Sequence, residues 1–204
     1  MHCKGNKSRN QDRVDDCDAA KEGVTRSGEC AGCARRAWPP GEIENFMSSA
    51  SWFWLIVFLV SSFAAGALGS WFTAASVSTW YVSLNKPAFN PPNWIFGPVW
   101  TILYLMMAVS AWLVWRSAGW ADGRVALTLF FIQLTFNLLW SVVFFGLRQP
   151  GLAMLEIVVL LATIIATAVA AMPVSKPAFW LLVPYMAWVA FAGVLNFRIW
   201  QLNS

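Results

Sequence analysis

The chain has 204 residues, and its 58% hydrophobic content and mean hydropathy of +0.56 exclude an ordinary soluble domain. Residues 1–46 hold eight basic and eight acidic side chains, whereas residues 47–204 hold six basic and two acidic ones. The six cations are spread over several loops, so no nucleic-acid partner is expected. The one histidine is His2, which leaves the apolar region without an imidazole for metal binding or acid–base catalysis.

Residues 1–46 are predicted to form a disordered charged tail, because they lack apolar periodicity. The tail holds all four cysteines of the chain, which are Cys3, Cys17, Cys30 and Cys33. The Cys30-x-x-Cys33 pair has the spacing of half a zinc site, but no second pair follows at finger spacing, so free thiols are the simpler interpretation. Met47 is an alternative start of the translated chain. The domain boundary is therefore predicted between residues 46 and 47.

Five apolar segments follow in residues 47–204, each long enough to cross ~30 Å of hydrocarbon as a helix. They are predicted at about 52–72, 94–115, 125–147, 151–172 and 177–200. Most prolines lie between these segments or in first turns, where helices end and begin. The fold class is therefore an all-α, multi-pass membrane protein, a bundle of five transmembrane helices. The basic residues favour a cytoplasmic N-terminal side only weakly.

The connection between the first two segments, residues 73–92, is far longer than the ~2–8 residues that usually join two helices. It combines aromatic residues with three prolines that restrict the backbone. We expect this first loop to be structured and to cap a cavity at the open end of the bundle, with Tyr81 and Pro91 towards a ligand and Lys86 at the rim. Such a loop is expected to gate ligand binding and release.

Helical spacing collects aromatic and polar side chains on single faces. The second segment has an aromatic face of Phe96, Trp100 and Tyr104. The third segment has a polar stripe of Gln133, Asn137 and Ser141. The fifth segment has a face of Tyr185, Trp188 and Ala192. A polar stripe in lipid must point into the bundle, because an unpaired amide there costs several kcal/mol. Helix–helix packing and a ligand pocket are both open interpretations of these faces. Ser62, Gly66 and Ser70 form a small-residue face that allows close helix contact.

Three stretches resemble the signature of the TspO/MBR family of tryptophan-rich sensory proteins and translocator proteins. They are WYVSLNKPAFNPPNWIFGPVWTILY from residue 80, QLTFNLLWS from residue 133 and PYMAWVAF from residue 184. The resemblance covers about residues 52–202. It implies a five-helix bundle with a capped cavity that binds porphyrins, and in relatives cholesterol or benzodiazepine-type ligands. It also implies a homodimer. Bacterial members are linked to tetrapyrrole-dependent and stress regulation, and the expected location is a bacterial cell membrane.

The resemblance and the spacing together predict a ligand cavity. Its residues are Trp80, Tyr81, Pro91, Phe96, Trp100, Tyr104, Asn137, Trp140, Ser141, Tyr185, Trp188 and Ala192. The expected ligand is a porphyrin such as protoporphyrin IX, stacked between Trp100 and Trp188. Its carboxylates would lie near a rim of Lys86, Arg148 and Arg198, unless these cations are ordinary flanking residues that snorkel. No metal and no tightly bound cofactor is expected.

The predicted function is a membrane tetrapyrrole-binding sensory or translocator protein, whose partners are lipid, the ligand and a second copy. No catalytic constellation occurs in the sequence. The alternatives are a light- or oxygen-dependent porphyrin-degrading enzyme, with Trp100 and Trp188 as its source of redox chemistry, or a ligand-responsive regulatory interaction protein. Glu156, the one carboxylate inside a segment, is either a structural acid or a ligand or proton contact. Sterol binding is doubtful, because Phe197 stands where the weak sterol motif requires tyrosine.

Overall fold

The computed structural model describes residues 40–204, with side chains from Ser51 onward. In this part of the chain all regular secondary structure is helical. The predicted tail and its four cysteines lie outside the described residues, except for residues 40–46, which belong to the first helix.

The helices succeed one another with short connections. They are α1 (Pro40–Val77), α2 (Trp80–Ser83), α3 (Asn93–Ser141), a π-helical turn (Val142–Gly146), α4 (Pro150–Ala171) and α5 (Lys176–Asn203). Four stretches are long and apolar enough to cross a membrane: Ser51–Val77, Asn93–Gly146, Pro150–Ala171 and Lys176–Asn203. The predicted all-α class and the multi-pass membrane location are therefore confirmed. The protein is an integral membrane protein.

The long helix α3 consists of two halves that fold back on each other at Gly119. This residue has φ 61° and ψ −161°, a conformation that is essentially restricted to glycine. Tyr104 in the first half hydrogen-bonds Asn137 in the second, and a Cβ placed on Gly123 would lie 3.1 Å from Cγ1 of Val114. The halves are thus antiparallel neighbours, and α3 supplies two of the five predicted crossings.

Two contacts bring the loop and the helix ends together at one end of the bundle. The hydroxyl of Ser76 donates to the carbonyl of Phe145 at 2.7 Å, so the end of α1 meets the π-helical turn. The side chain of Asn203 accepts from the amide of Asn85 at 3.0 Å and donates to its carbonyl at 2.9 Å. We call this the loop-one end, comprising residues 78–92, 145–151 and 198–204.

The buried core consists of a large cluster and a small one. The large cluster fills the bundle with side chains such as Phe58, Met107, Leu127 and Ile164. The small cluster lies at the loop-one end, and its members are Tyr81, Phe144, Ala153, Leu195 and Ile199. Since Tyr81 belongs to α2, the first loop is packed into the bundle, which positions it beside the cavity described next.

Candidate functional site

A cavity of about 490 Å³ lies among α1, both halves of α3 and α5. This volume falls within the ~300–1,000 Å³ that is common for small-molecule sites. Its walls are mainly apolar and aromatic, and Tyr81 of the first loop lines it at the loop-one end. The cavity is therefore formed within the part of the bundle that the sequence places in the membrane.

Nine of the twelve residues predicted to contact a ligand line this cavity. They are Tyr81, Phe96, Trp100, Tyr104, Asn137, Trp140, Ser141, Trp188 and Ala192. The other three lie elsewhere. Trp80 packs on Phe144 with ring centroids 5.7 Å apart, Tyr185 is fully buried behind the lining, and Pro91 borders a separate apolar groove between α3 and α5.

The aromatic wall is formed by side chains one helical turn apart. Trp100 lies over Tyr104 with ring centroids 5.5 Å apart and planes inclined by 30°. On the facing helix α5, the ring of Trp188 meets that of Phe96 at 5.9 Å. Trp100 and Trp188 thus belong to different helices but line one cavity, so a flat ligand there can contact both indole faces.

A buried chain of hydrogen bonds ties the two halves of α3 to α5. The hydroxyl of Tyr104 donates to Oδ1 of Asn137 at 2.6 Å, and Nδ2 of Asn137 donates to the hydroxyl of Tyr185 at 3.0 Å. Tyr185 in turn donates to Oε1 of Gln133 at 2.9 Å. Asn137 is therefore both a helix–helix contact and part of the cavity lining, so the two interpretations of the polar stripe are compatible at this residue.

Tyr185→Phe is expected to destabilise the protein, because it removes the hydroxyl that accepts a hydrogen bond from Asn137 and donates one to Gln133. A buried polar group left without a partner costs ~1–3 kcal/mol, and the melting temperature in detergent should fall by several degrees. The matched control is Tyr81→Phe, which removes a partly buried hydroxyl with one partner, Asn90, and should lower the melting temperature less. Equal melting temperatures for Tyr185→Phe and the parent would show that the chain of hydrogen bonds contributes nothing.

Several polar groups on the cavity wall are buried without a hydrogen-bond partner. They are the indole N–H groups of Trp140 and Trp188 and both amide atoms of Asn196. These atoms have almost no accessible surface, so a ligand in the cavity would reach the indole donors only after neighbouring side chains shift. The carboxylate oxygens of Glu156 are also buried without a partner, but this residue does not line the cavity.

Tyr81 is held by contacts on several sides. Its side chain is 5% exposed, its hydroxyl donates to Oδ1 of Asn90 at 3.0 Å, and its ring meets that of Phe145 at 5.7 Å. The ammonium of Lys86 lies 4.9 Å from the ring centroid. Burial raises the pKa of Tyr81 above its ordinary value, and the hydrogen bond to Asn90 offsets part of this rise. The hydroxyl therefore stays protonated at neutral pH and keeps donating to Asn90.

The three cations predicted to form a ligand rim lie at or beside the loop-one end, but none lines the cavity. Lys86 is half-buried over Tyr81, whereas Arg148 and Arg198 are exposed. Arg198 donates to the side chain of Gln201 at 3.0 Å, so it already has a neighbour on its own helix. A ligand carboxylate would have to extend from the cavity to reach any of the three.

The wall contributed by α1 is the largest part of the lining that the sequence analysis missed. Residues of other elements, such as Phe144 and Asn196, were missed as well. The residues of the α1 wall are Phe63, Gly66, Ala67, Gly69, Ser70, Thr73 and Val77. The available signal was the small-residue face at Ser62, Gly66 and Ser70, which was interpreted only as a helix contact. A Cβ on Gly66 would lie 2.5 Å from Cε2 of Tyr104, so the contact interpretation holds at this residue. The same face then continues towards the loop-one end as a cavity wall.

The chemistry available in this cavity is stacking, apolar burial and hydrogen-bond donation. Residues 51–204 include no group of three or more His, Cys, Asp or Glu side chains that could hold a metal ion. The arrangement is suited to binding a flat, largely apolar molecule that carries acceptor atoms.

Comparisons with known proteins cover most of the bundle. The profile of the TspO/MBR family matches residues 56–201. The Tryptophan-rich protein TspO of Archaeoglobus fulgidus is 44% identical over 150 residues, which is 74% of this chain and 97% of that protein. The Translocator protein of Bos taurus is 42% identical over 141 residues, covering 68% and 83% of the two chains. The Tryptophan-rich sensory protein of Cereibacter sphaeroides is 37% identical over 147 residues, covering 72% and 91%.

The matched region begins in α1 and ends in α5. It contains the three middle crossings, most of the first and the last, and the whole cavity lining. A match of this extent and identity goes beyond a shared fold class. The chain belongs to the TspO/MBR family.

Proposed function

We propose that the protein binds a flat aromatic ligand of the tetrapyrrole class inside the membrane and acts as a sensory or translocator protein. The observation that carries the proposal is that Trp100 and Trp188, from two different helices, line one cavity. The relatives' printed names, Tryptophan-rich sensory protein and Translocator protein, support the same class of role. As some of these relatives are bacterial, a bacterial cell membrane is the proposed location.

Binding free energy would come mainly from the ring. Each aromatic pair contributes ~0.5–1.5 kcal/mol beyond the apolar area that it buries. The hydroxyls of Ser70 and Ser141 on the cavity wall add donors for the acceptor atoms of a ligand. A porphyrin combines a flat apolar ring with pyrrole nitrogens and carboxylates, so it matches both features.

The carboxylates of such a ligand are best placed towards the loop-one end. This end carries Lys86, Arg148 and Arg198, whereas the cavity lining itself contains no charged side chain. A carboxylate held within hydrocarbon would be costly, and one near the membrane surface retains water and nearby cations. We therefore propose that the ring lies deep and the carboxylates point to the loop-one end.

Titration of the purified full chain with protoporphyrin IX in detergent tests the proposal through quenching of tryptophan fluorescence. We expect saturable quenching at one ligand per chain, with the porphyrin absorption bands preserved in the dark and in light. A long-chain fatty acid, which has a carboxylate but no ring, is the control and should not quench. Quenching that rises linearly without saturation would contradict a defined site, and protein-dependent loss of the bands in light would favour the porphyrin-degrading alternative.

A further inference from the structure

The cavity is open on the side where α1 faces the first half of α3. Six residues of its lining are exposed on these two helices: Phe63, Ala67, Ser70, Asn93, Gly97 and Thr101. The side chain of Phe63 is 40% exposed although it borders the cavity. Apart from Asn93, which begins α3, these residues lie inside stretches long and apolar enough to cross a membrane, so the surface that they expose faces hydrocarbon.

The opening has a defined limit away from the loop-one end. This limit is the contact of Gly66 with Tyr104, where a Cβ would lie only 2.5 Å from the ring, and Phe63 packs on Tyr104 one turn further on. From there to the loop-one end the lining residues of α1 are Ala67, Gly69, Ser70, Thr73 and Val77, and α3 contributes Gly97 and Thr101 beside the larger Phe96 and Trp100. A Cβ on Gly97 would meet no atom within 4 Å, so the space beside this residue is free.

The loop-one end is closed by packed side chains instead. Tyr81 occupies it in a nearly fully buried position, with its hydroxyl hydrogen-bonded to Asn90 and its ring packed at an inclined angle on Phe145. The two hydrogen bonds between Asn85 and Asn203 hold the loop to the end of α5. Passage of a ligand through this end would require these contacts to break together, whereas the gap between α1 and α3 is already open.

From these observations we infer that the ligand enters and leaves the cavity sideways, from the hydrocarbon of the bilayer, through the gap between α1 and the first half of α3. The inference rests on the proposed function and deepens it, because it restricts the ligand to molecules that dissolve in the bilayer. The first loop then serves as a fixed end wall. The sequence analysis expected this loop to gate binding, whereas in this proposal the gap between the helices controls entry and release.

Sideways access agrees with the chemistry of the cavity. A flat apolar molecule gains ~25 cal/mol for each Å² of apolar surface that leaves water, so it concentrates in the membrane before it meets the protein. Through the gap it reaches Trp100 without returning to water. The hydroxyls of Ser70 and Thr101 on the two sides of the gap are the polar groups that its acceptor atoms would pass.

The test narrows the gap without changing the loop. Ala67→Leu and Gly97→Leu, combined in the full chain in lipid vesicles, add bulk on both sides of the opening, where Gly97 has free space. The matched control is Ala64→Leu, the same change on an exposed position of α1 that does not line the cavity. The probe is protoporphyrin IX dissolved in the vesicles, and the rates are read by stopped-flow quenching of tryptophan fluorescence.

We expect the double variant to bind and release the porphyrin about tenfold more slowly, because a narrowed passage raises the barrier in both directions. Ala64→Leu should leave both rates unchanged. Faster dissociation with unchanged association would mean that these positions only contact the ligand, which overturns the inference.

Unchanged rates in the double variant, combined with faster exchange in Tyr81→Ala, would assign the passage to the first loop and also overturn it. A failure of the proposed function itself has a different signature, since the parent protein would then show no saturable quenching at all.

Discussion

Replacing Trp100 and Trp188 together with alanine should lower the affinity for protoporphyrin IX by about a hundredfold, and each single change by about tenfold. Each change removes one stacking surface and the apolar area that it covers, which together are worth ~1–2 kcal/mol. The two residues lie on different helices of one cavity, so each contributes its own face. Fluorescence quenching is weakened by the loss of tryptophan, so porphyrin absorbance is the better measurement.

Trp94 and Trp180 provide matched controls on the same two helices. Their side chains are 74% and 67% exposed, and neither lines the cavity. Alanine at these positions should leave the affinity within about twofold of the parent. Helix content by circular dichroism should be the same in all variants. Parental affinity in the Trp100 and Trp188 double variant would remove the basis for the proposed site.

Gly66→Ala should destabilise the bundle and weaken ligand binding. The new Cβ would lie 2.5 Å from Cε2 and 2.9 Å from Cδ2 of Tyr104. This ring cannot turn away freely, because its hydroxyl is bonded to Asn137 and its face lies against Trp100. Overpacking of this kind costs ~1–3 kcal/mol, and the melting temperature in detergent should fall by several degrees.

Gly97→Ala is the control for this change, since a Cβ there meets no atom within 4 Å. Its melting temperature should equal that of the parent or exceed it slightly, because alanine favours a helix over glycine by ~1 kcal/mol. If the melting temperature of Gly66→Ala equalled that of Gly97→Ala, the close approach of α1 to Tyr104 would be refuted.

The five crossings could be predicted because the thickness of a bilayer sets the length of an apolar helix. The boundaries were less predictable. Helix α1 continues to Val77, so the first loop is shorter than the predicted range of 73–92. The second and third predicted segments leave residues 116–124 as their connection. The structure needs only Gly119 there, because its backbone conformation reverses the chain within one residue. Neither detail follows from hydropathy, which averages over many residues.

The site was predictable where it depends on one helix at a time. Spacing along α3 placed Phe96, Trp100 and Tyr104 on a common face, and the structure brings them together in the cavity wall. Contacts between helices were not predictable in the same way. The role of Tyr185 behind the lining depends on which amides it meets, and the α1 wall depends on how closely glycine lets two backbones approach. These contacts depend on how the helices pack in three dimensions, which the spacing of residue types along one helix does not specify.

The most direct test of the central claim is an experimental structure of the full chain with protoporphyrin IX bound. We predict that the ring lies in the cavity in contact with the indole faces of Trp100 and Trp188, with its carboxylates towards the loop-one end. A porphyrin found on the outer surface of the bundle, with the cavity between these two tryptophans empty, would contradict the account.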